Sequence, residues 1–390
     1  MRDANAQSCQ YLFERSESEL LDHLTRFIHT LGAAQQYTES GELERMAIFE
    51  LHHGDALNVL RGMPDNSVDA IVTDPPYFKV KNLAWDRQWD KPQAFLAWMG
   101  ELCAEWQRVL KPNGSLYCFA SPERCHDVQR EIRQRFNVLN DIRWVKDAGW
   151  HKKADKEISR SFHSNWESII FAEQYGADNI AKGEAGYAAK CDELRGFVFE
   201  PLRKYLADER DRAGFTTRQV AEAFQRKTGS RTVTGMAGHW FERVQWTLPT
   251  EANYNWLREL FAGDYLRREY EDLRREYEDL RRPFSVTADV PYTDVWDFAT
   301  VQAYKGKHPC EKPLPLMLHI IRSSTREGAT VLDCFSGSAA TGEACLRLGR
   351  NFIGIDNDAH WIEQGRERLA AVQRIAPIWT FSRAKAVQLF

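Results

Sequence analysis

The sequence predicts an α/β protein in which a mostly parallel, Rossmann-like sheet is interrupted by a mostly helical insertion. Short β-branched and aliphatic runs alternate with amphipathic stretches over residues 41–174 and again over 301–390. Such strand–helix alternation is typical of a parallel sheet covered by helices. Residues 175–300 break the alternation, because they are polar, locally basic and helical in pattern. We therefore expect one sheet domain built from the two flanking parts and a second, helical domain between them.

Residues 1–40 form a separate N-terminal segment. Within 11–31, apolar side chains recur at helical spacing at Leu20, Leu24, Phe27, Ile28 and Leu31. This spacing predicts one amphipathic helix that serves in packing or in binding a partner. The segment lacks the continuous apolar core of a secretory signal.

The composition of the 390 residues fits a soluble protein whose cysteines are reduced. Its net charge of −4 and pI of about 6.3 exclude a globally basic surface but allow a local basic patch. No apolar run approaches the roughly 18 residues of a membrane helix. The eight cysteines show no paired spacing, which favours a cytoplasmic setting and argues against a zinc site. We expect neither a bound metal nor a membrane partner.

The first α/β part has a clear order of elements. The stretch "AIFELHHGDALNVLRGMPDNSVDAIVTD" indicates a strand, a short helix and a second strand, and "KPNG" at 111–114 indicates a turn. The remaining predictions are a helix at 92–110 with proline near its start, a strand at 115–121, a helix near 122–135, and strands at 138–146 and 166–174.

The second strand of this part ends in a stiff acidic corner, "IVTDPPYF". Pro75 and Pro76 cannot donate to a sheet ladder, so the strand must stop before them. Each proline also fixes its own φ and extends the preceding residue. Asp74 and Tyr77 are therefore held at the carboxyl end of a strand, which is where open α/β sheets bind ligands.

The insertion contains two recognisable patterns. Residues 201–245 resemble a helix-turn-helix, with Thr216 or Thr217 capping one helix and Thr232 or Thr234 beginning a second, reading helix. Between 201 and 246 there are nine Lys or Arg against five acids, as a phosphate-facing patch requires. The repeat "LRREYED LRREYED LRR" predicts a heptad helix over 264–282. Its seam is short, which favours packing on its own domain over a coiled-coil dimer.

The second α/β part carries a turn suited to a nucleoside. A helix at 313–325 precedes the strand "TVLD", the turn "CFSGSAATG" and a helix; the next strand ends at Asp356, and a closing helix follows. Gly337 permits close backbone approach, the helix N-terminus offers free N–H groups, and an acid at the end of the next strand can accept both ribose hydroxyls. The pattern is not GxGxxG, which makes a dinucleotide loop less suitable.

The two motifs together resemble those of the S-adenosylmethionine-dependent amino-methyltransferases of DNA. "DPPY" at 74–77 is similar to their catalytic motif, and "LDCFSGSAATG" at 332–342 to their cofactor motif, with a departure at Ser338-Ala339-Ala340. The order of catalytic motif, recognition region and cofactor motif is similar to the β group of that family. Further similar segments are "HHGDAL" (52–57), "VLKPNGSLYCFAS" (109–121), "VWDF" (295–298) and "KHPCEKPLPLM" (307–317).

The resemblance implies a seven-stranded methyltransferase sheet, S-adenosylmethionine as cofactor and double-stranded DNA as substrate. It assigns catalysis to Asp74, Pro75, Pro76 and Tyr77, with Tyr77 or Phe78 stacking on a flipped base. For the cofactor it implies Asp55 at the adenine, Lys312 at the carboxylate, Asp356 at the ribose, and Asp333, Phe335, Gly337, Thr341 and Gly342 in the turn. Candidate contacts to base and DNA are His163, Trp166, Arg218, Arg226, Lys227, Arg231, Thr232 and Thr234.

The functional hypothesis is methylation of an exocyclic amine in DNA, most simply adenine N6, of the kind found in restriction–modification. "DPPY" favours adenine in this family, with N4-cytosine as the alternative. Two further alternatives are a DNA-binding protein on an inactive methyltransferase scaffold and an RNA or protein glutamine methyltransferase; the intact acids argue against the first, and the long insertion against the second. The recognition segment 201–245 has its own alternative, a helical lid. A bacterial or phage-infected cytoplasm is the expected setting, and a homodimer is compatible with the sequence.

Overall fold

The computed structural model describes residues 35–37, 43–45, 47–146, 157, 159–174, 198–233, 235–242, 246–286 and 291–386. The amphipathic helix predicted at 11–31 lies outside these ranges. The chain divides into two compact units. We call Met1–Glu173 with Pro283–Phe390 the sheet unit, and Gln174–Arg282 the insert unit.

An eight-stranded sheet forms the centre of the sheet unit. Before it, β1 (Gln35–Tyr37) and β2 (Leu43–Arg45) pair antiparallel. The sheet strands are β3 (Phe49–His53), β4 (Val68–Thr73), β5 (Leu110–Ala120), β6 (Asn137–Val145), β7 (Trp166–Glu173), β8 (Val295–Asp297), β9 (Thr330–Asp333) and β10 (Asn351–Asp356). Their order is β3-β10-β9-β4-β5-β7-β6-β8.

The sheet has one strand more than the sequence resemblance implies. The additional strand is β8, which pairs in parallel with the end of β6, from Arg143–Val295 to Val145–Asp297. The prediction assigned 295–297 to the insertion, which was to end at residue 300. Because β8 joins the sheet, the division between the units falls earlier, at Arg282.

Helices cover both faces of the sheet. The α-helices of the described ranges are α1 (Ala56–Gly62), α2 (Pro92–Val109), α3 (Cys125–Arg133), α4 (Glu200–Arg212), α5 (Thr217–Thr228), α6 (Glu251–Phe261), α7 (Tyr270–Leu280), α8 (Leu314–Ser324), α9 (Ala340–Arg347) and α10 (Ala359–Ala386). Buried side chains of α1, α2 and α3 pack on one face, and those of α8, α9 and α10 on the other. None of these helices combines the length and apolar character that a membrane crossing requires.

The strand directions bring the candidate residues to one edge of the sheet. β3, β10, β9, β4 and β5 run parallel, so their carboxyl ends meet there. β7 is antiparallel to both β5 and β6, and it therefore begins at the edge where they end. Asp74, Asp333 and Asp356 come from strand ends, and Glu167 comes from the start of β7.

The predicted turn at "KPNG" is instead part of β5. Pairing with β4 passes from Val68–Leu110 directly to Ala70–Ser115, so residues 111–114 form an irregularity within a strand. The proline is accommodated because the ladder to β4 is interrupted at that point.

The insert unit has its own apolar core. Its buried side chains include Val220, Ala221, Phe224, Trp240 and Phe241. Thr216 caps α5 through a reciprocal capping box with Gln219, which explains why the helix begins there.

The second helix of the predicted helix-turn-helix is not an α-helix. Residues Gly235–Trp240 form a short 3-10 turn, and Arg231 and Thr232 precede it in irregular structure. Two glycines in six residues disfavour an α-helix, and the Trp246 indole donates to the Trp240 carbonyl at 2.9 Å, which holds the compact turn.

The two identical heptads adopt different structures. The second repeat lies in α7, where Leu273 is buried and Tyr277 stacks on Phe199 at 5.3 Å, so the helix packs on its own unit. The predicted helix over 264–282 is shorter at its start, because Leu266 has a φ of 51°. The Leu266 N–H donates to the buried Glu209 carboxylate at 2.6 Å, and its carbonyl accepts from Arg258 at 2.8 Å.

Candidate active site

The Asp74–Tyr77 corner is held rigidly at the end of β4. Pro75 and Pro76 are buried, whereas Asp74 and Tyr77 are only partly covered. Asp86, which is fully buried, accepts the backbone N–H groups of Tyr77 at 2.7 Å and Lys81 at 2.5 Å. This carboxylate fixes the loop that follows the two prolines, and no motif in the sequence pointed to it.

Tyr77, and not Phe78, is the ring available to a ligand. Phe78 is buried and lies 5.7 Å from the ring of Phe95, with an unusual φ of 64° that turns it into the core. Tyr77 lines the large pocket at the sheet edge. The structure thus distinguishes between the two aromatic candidates.

Asp74 is the centre of a cluster of charged and hydroxyl groups. Its Oδ1 accepts from the Tyr77 hydroxyl at 2.5 Å, and its Oδ2 lies 2.5 Å from the Lys312 ammonium. Glu167 Oε2 lies 3.3 Å from both the Tyr77 hydroxyl and Lys312 Nζ. Lys146 pairs with the other oxygen of Glu167. We call these five residues the carboxylate cluster.

Burial and charge oppose one another in the carboxylate cluster. Burial raises the pKa of Asp74, and Glu167 raises it further, while Lys312 acts in the opposite direction. Although burial alone would raise the pKa of Glu167, Lys312 and Lys146 lower it to about 2. The two carboxylates raise the pKa of Lys312 despite its burial. The lysine therefore stays charged and holds two carboxylates together.

The position of Lys312 differs from its predicted role. The resemblance placed it at the cofactor's carboxylate, but its ammonium ends between Asp74 and Glu167. Glu167 and Lys146 were not among the residues predicted from the sequence. Glu167 pairs with Lys146 across neighbouring strands and with Lys312 from a distant part of the chain. Local patterns carried no signal for these contacts, although Glu167 directly follows the candidate Trp166.

Asp333 and Thr341 stabilise the cofactor turn from inside. The two Asp333 oxygens accept from the Thr341 hydroxyl at 2.6 Å and from the Phe335 N–H at 3.1 Å. Burial raises the pKa of Asp333 to about 7, although these hydrogen bonds act to lower it. Ala339 begins the following helix with a φ of 56°, within the segment that departs from the family's motif.

Gly337 and Asp356 meet at the surface of the turn. The Gly337 N–H donates to Asp356 Oδ2 at 2.8 Å, and the Asp358 N–H donates to Oδ1 at 2.9 Å. Gly337 has a φ of 45°, and a Cβ there would lie 3.0 Å from His308. Burial, reinforced by Lys312, lowers the pKa of His308 to about 4, so this ring is neutral near pH 7.

Gly342 and Asp55 have structural roles that the sequence did not predict. A Cβ on Gly342 would lie 2.6 Å from Phe352, so this glycine allows α9 to approach β10 closely, and it is not among the pocket-lining residues. Asp55 lines the pocket and also caps α1, accepting the Asn58 N–H at 3.0 Å.

One large pocket of about 1080 Å³ contains most of these groups. Asp55, Asp74, Phe335, Gly337 and Asp356 all line it. The predicted base contacts His163 and Trp166 line it too, the Trp166 ring lying 3.8 Å from the Arg143 guanidinium. The rim also carries Phe162, a fully exposed aromatic side chain that the sequence analysis did not single out.

The predicted DNA contacts of the insert unit differ in their surroundings. Arg218 is paired with Glu222 at 2.9 Å, one turn along α5. Arg226, Lys227 and Arg231 are exposed, and among the described residues none has a carboxylate within 4.0 Å. Lys227 lies 4.8 Å from the Trp256 ring. Thr232 is exposed, and Thr234 falls outside the described ranges.

One group of side chains in the described ranges has the spacing of metal ligands. Cys125, His126 and Asp141 lie with their ligand atoms within 4.8 Å of one another. The Arg143 guanidinium donates to Asp141 at 2.8 Å and lies 3.8 Å from the Cys125 sulfur. A cation already in contact with two of the three groups disfavours a metal ion there.

Comparison with known proteins adds sequence evidence. A family model described as DNA methylase matches residues 68–367. DNA adenine methyltransferase YhdJ of Escherichia coli (strain K12) is 28% identical over 325 residues, covering 81% of each chain. Type II methyltransferase M2.DpnII of Streptococcus pneumoniae is 26% identical over 339 residues, covering 82% of this chain and 89% of that protein. The solved M1.HpyAVI-SAM complex matches with a TM-score of 0.44 at 19% identity, covering 83% of this chain and 100% of that one.

Proposed function

This chain belongs to the DNA methylase family, and on that premise we propose that it transfers a methyl group from S-adenosylmethionine to the N6 amine of an adenine flipped out of duplex DNA. The observation that carries the proposal is the convergence of Asp74, Tyr77, Gly337 and Asp356 on one pocket. Adenine is favoured by the "DPPY" motif and by the relative YhdJ, which is named as a DNA adenine methyltransferase.

The amine is a poor nucleophile, because its lone pair is delocalised into the base. Hydrogen bonds from the amine to the Asp74 carboxylate and to the Pro75 carbonyl favour a more tetrahedral nitrogen. The lone pair is then free to attack. This is catalysis by orientation and electrostatics, and the buried prolines hold both acceptors still. Tyr77 supplies the ring on which the flipped base stacks.

The cofactor supplies a methyl group bound to a positively charged sulfur. As the new N–C bond forms, the S–C bond breaks and its electron pair remains on sulfur. The amine nitrogen acquires the positive charge and loses one proton. Asp74, whose pKa is raised by burial, is placed to accept that proton before it passes to water.

The residues of the turn fit a nucleoside bearing a short charged tail. Asp356 has carboxylate lone pairs beyond the two that accept backbone N–H groups, and these suit ribose hydroxyls. Asp55 lines the same pocket, where its carboxylate can accept a hydrogen bond from an exocyclic amine. The absence of a side chain at Gly337 leaves the backbone open to close approach. Lys312 is engaged by two carboxylates, and we assign it to the catalytic end of the pocket.

We assign target reading to the insert unit. Arg226, Lys227 and Arg231 are exposed cations without carboxylate partners among the described residues, which leaves their charge available to phosphates and base edges. Other cations of the unit are neutralised by neighbouring acids, as Lys204 is by Asp208. Because the relatives YhdJ and M2.DpnII come from bacteria, we infer that the protein works in the cytoplasm of a bacterial or phage-infected cell.

The proposal is tested by methyl transfer from labelled S-adenosylmethionine to duplex DNA, RNA and protein in parallel. Nucleosides from the methylated DNA are then separated and identified by mass. We expect label in duplex DNA alone, recovered as N6-methyladenine. N4-methylcytosine would assign the other amine, label in RNA or protein would assign another substrate class, and DNA binding without transfer would indicate an inactive scaffold.

A further inference from the structure

We propose that Glu167 is a positioning residue for Asp74. It serves as the second acceptor, to which the Tyr77 hydroxyl transfers when the target amine enters and which keeps Lys312 paired when Asp74 takes the amine's proton. The inference rests on the proposed function. Glu167 touches neither the amine nor the methyl group in this assignment. It acts through the two donors that it shares with Asp74.

The geometry shows two donors bridging two carboxylates. The Tyr77 hydroxyl and the Lys312 ammonium each lie 2.5 Å from Asp74. Each lies 3.3 Å from the same oxygen, Oε2 of Glu167. Both Asp74 oxygens are therefore engaged, and both of their partners already have a second acceptor within reach.

This arrangement solves a problem that the proposed chemistry creates. The target amine must donate to Asp74, so it competes with the Tyr77 hydroxyl for Oδ1. A hydroxyl displaced into a buried site without an acceptor is destabilised, because it loses its hydrogen bond without regaining water. Glu167 prevents this destabilisation, because the hydroxyl needs only a small rotation to reach Oε2.

Glu167 also maintains the charge balance at the end of the reaction. When Asp74 takes the amine's proton it becomes neutral, and its attraction for Lys312 falls. Lys312 then keeps one carboxylate partner, and a buried ammonium without any partner is avoided. Lys146 fixes Glu167 from the opposite side and completes its hydrogen bonding.

The ionisation of Asp74 offers a direct test. Groups that face Asp74 from its own loop and from neighbouring elements are Tyr77, Cys118, Glu167, Cys310, Lys312 and Asp333. Asp74 works as the carboxylate, so its pKa sets the acidic limb of the pH–rate profile. Glu167 raises that pKa, and Lys312 lowers it. Removing the two charges must therefore move the acidic limb in opposite directions.

The experiment measures single-turnover methyl transfer to duplex DNA against pH. In Glu167→Gln we expect the plateau rate to fall by up to about 100-fold, as for misplaced reacting groups, and the acidic limb to move to lower pH. In Lys312→Met the limb should move to higher pH. Glu167→Asp keeps the charge, but its shorter side chain moves the carboxylate oxygen away from Tyr77 and Lys312. The rate of this variant should therefore fall, while the acidic limb of its pH–rate profile stays near that of the wild type. Glu101→Gln, which removes an exposed partner of Arg61, is the matched control and should change neither quantity.

The outcomes separate this proposal from the proposed function. Absence of transfer by the wild type, with every nucleic acid and protein tried, would overturn the proposed function. Transfer by the wild type with an unchanged rate and limb in Glu167→Gln would overturn the positioning role alone. A limb that moves equally in Glu167→Asp and Glu167→Gln would also overturn it. Calorimetry with S-adenosylmethionine should give the same affinity in both Glu167 variants, whereas a collapsed fold would lower it.

Discussion

At the scale of single residues, the site depends on acids whose surroundings give them different tasks. Asp86 and Asp333 are buried, and their oxygens accept hydrogen bonds from backbone N–H or hydroxyl groups. Asp74 and Asp356 are partly open and line the pocket. Sequence position alone did not separate the two groups, because Asp333 and Asp356 both stand at the end of a strand. Their exposure does separate them, because Asp86 and Asp333 are buried and Asp74 and Asp356 are partly exposed.

Replacing Asp74 with alanine should abolish transfer and spare binding. The carboxylate is assigned to orienting the amine in the transition state, so its loss should lower the turnover rate by at least about 100-fold. Affinities for S-adenosylmethionine by calorimetry and for DNA by fluorescence anisotropy should remain near those of the wild type. Near-normal turnover would refute the assignment of Asp74.

Asp356 should contribute to cofactor affinity in two separable ways. Asp356→Ala removes the ribose acceptor and releases the Gly337 N–H, so we expect binding weaker by about 1–3 kcal/mol in calorimetry. Asp356→Asn keeps one carbonyl oxygen and should lose less. Equal affinity of all three proteins would remove Asp356 from the cofactor site.

Phe162 should act on the DNA and leave the cofactor untouched. A fully exposed phenylalanine at the pocket rim can occupy the space that a flipped base leaves in the duplex. With 2-aminopurine at the target position, Phe162→Ala should give a smaller fluorescence increase and a higher KM for DNA. Tyr292→Ala, at an exposed aromatic outside this pocket, is the control. An unchanged fluorescence signal in Phe162→Ala would count against the wedge.

At the scale of elements, the sequence predicted helices and strands well where periodicity was strong and less well where tertiary contacts decide. The helix expected at 92–110 is Pro92–Val109, and the strand expected at 166–174 is Trp166–Glu173. The duplicated heptad shows the limit, because one amino-acid pattern forms α7 and also an irregular segment. Glu209 and Arg258 bind the backbone of Leu266, and they belong to other elements.

The candidate site shows the same division between local and distant information. Asp74, Gly337 and Asp356 stand in local motifs, and the sequence alone was enough to name them as candidates. Glu167 and Lys146 matter only because β7 begins and β6 ends beside the loop before α8, so that Glu167 meets Lys312 and Lys146 meets Glu167. Such pairing is fixed by sheet order, and one sequence without relatives carries no trace of it.

A close helix–strand approach predicts a contrast between two glycine substitutions. Gly342→Ala places a methyl group 2.6 Å from Phe352, so it should destabilise the fold by about 1–3 kcal/mol. Gly100→Ala, inside α2 with its nearest atom 3.8 Å away, should stabilise by up to about 1 kcal/mol. Denaturant unfolding of both variants measures the difference. Equal stability would mean that α9 moves away from β10 at little cost.

At the scale of the whole molecule, the chain forms two units with different architecture, and the proposed function divides between them. The sheet unit brings strand ends from both halves of the chain to one pocket, which is why the insertion between them leaves the site intact. The insert unit has its own aromatic core and surface charges. Chemistry and target reading can then change independently, and mutations in the insert unit should alter DNA selection without altering the transfer step.

That independence is tested by changing the cations of the insert unit in two ways. Arg226→Ala with Lys227→Ala removes two exposed charges that have no carboxylate partner among the described residues, so binding to all DNA should weaken. The slope of log affinity against log salt should fall by about 2, close to one for each phosphate contact. Arg231→Ala should instead relax sequence preference, visible as methylation of near-cognate sites in sequenced host DNA.

The control pair is Arg274→Ala with Arg275→Ala, which removes two cations already paired with Glu271 and Asp272. Because those charges are neutralised within α7, the salt slope should change little. Single-turnover transfer at saturating DNA should stay near the wild-type rate in every variant, since none touches the carboxylate cluster. If the Arg226, Lys227 and Arg231 variants leave both affinity and methylated motif unchanged, the insert unit does not read DNA. Recognition would then belong to the basic segment at 142–165, which ends beside His163 and Trp166 at the pocket rim.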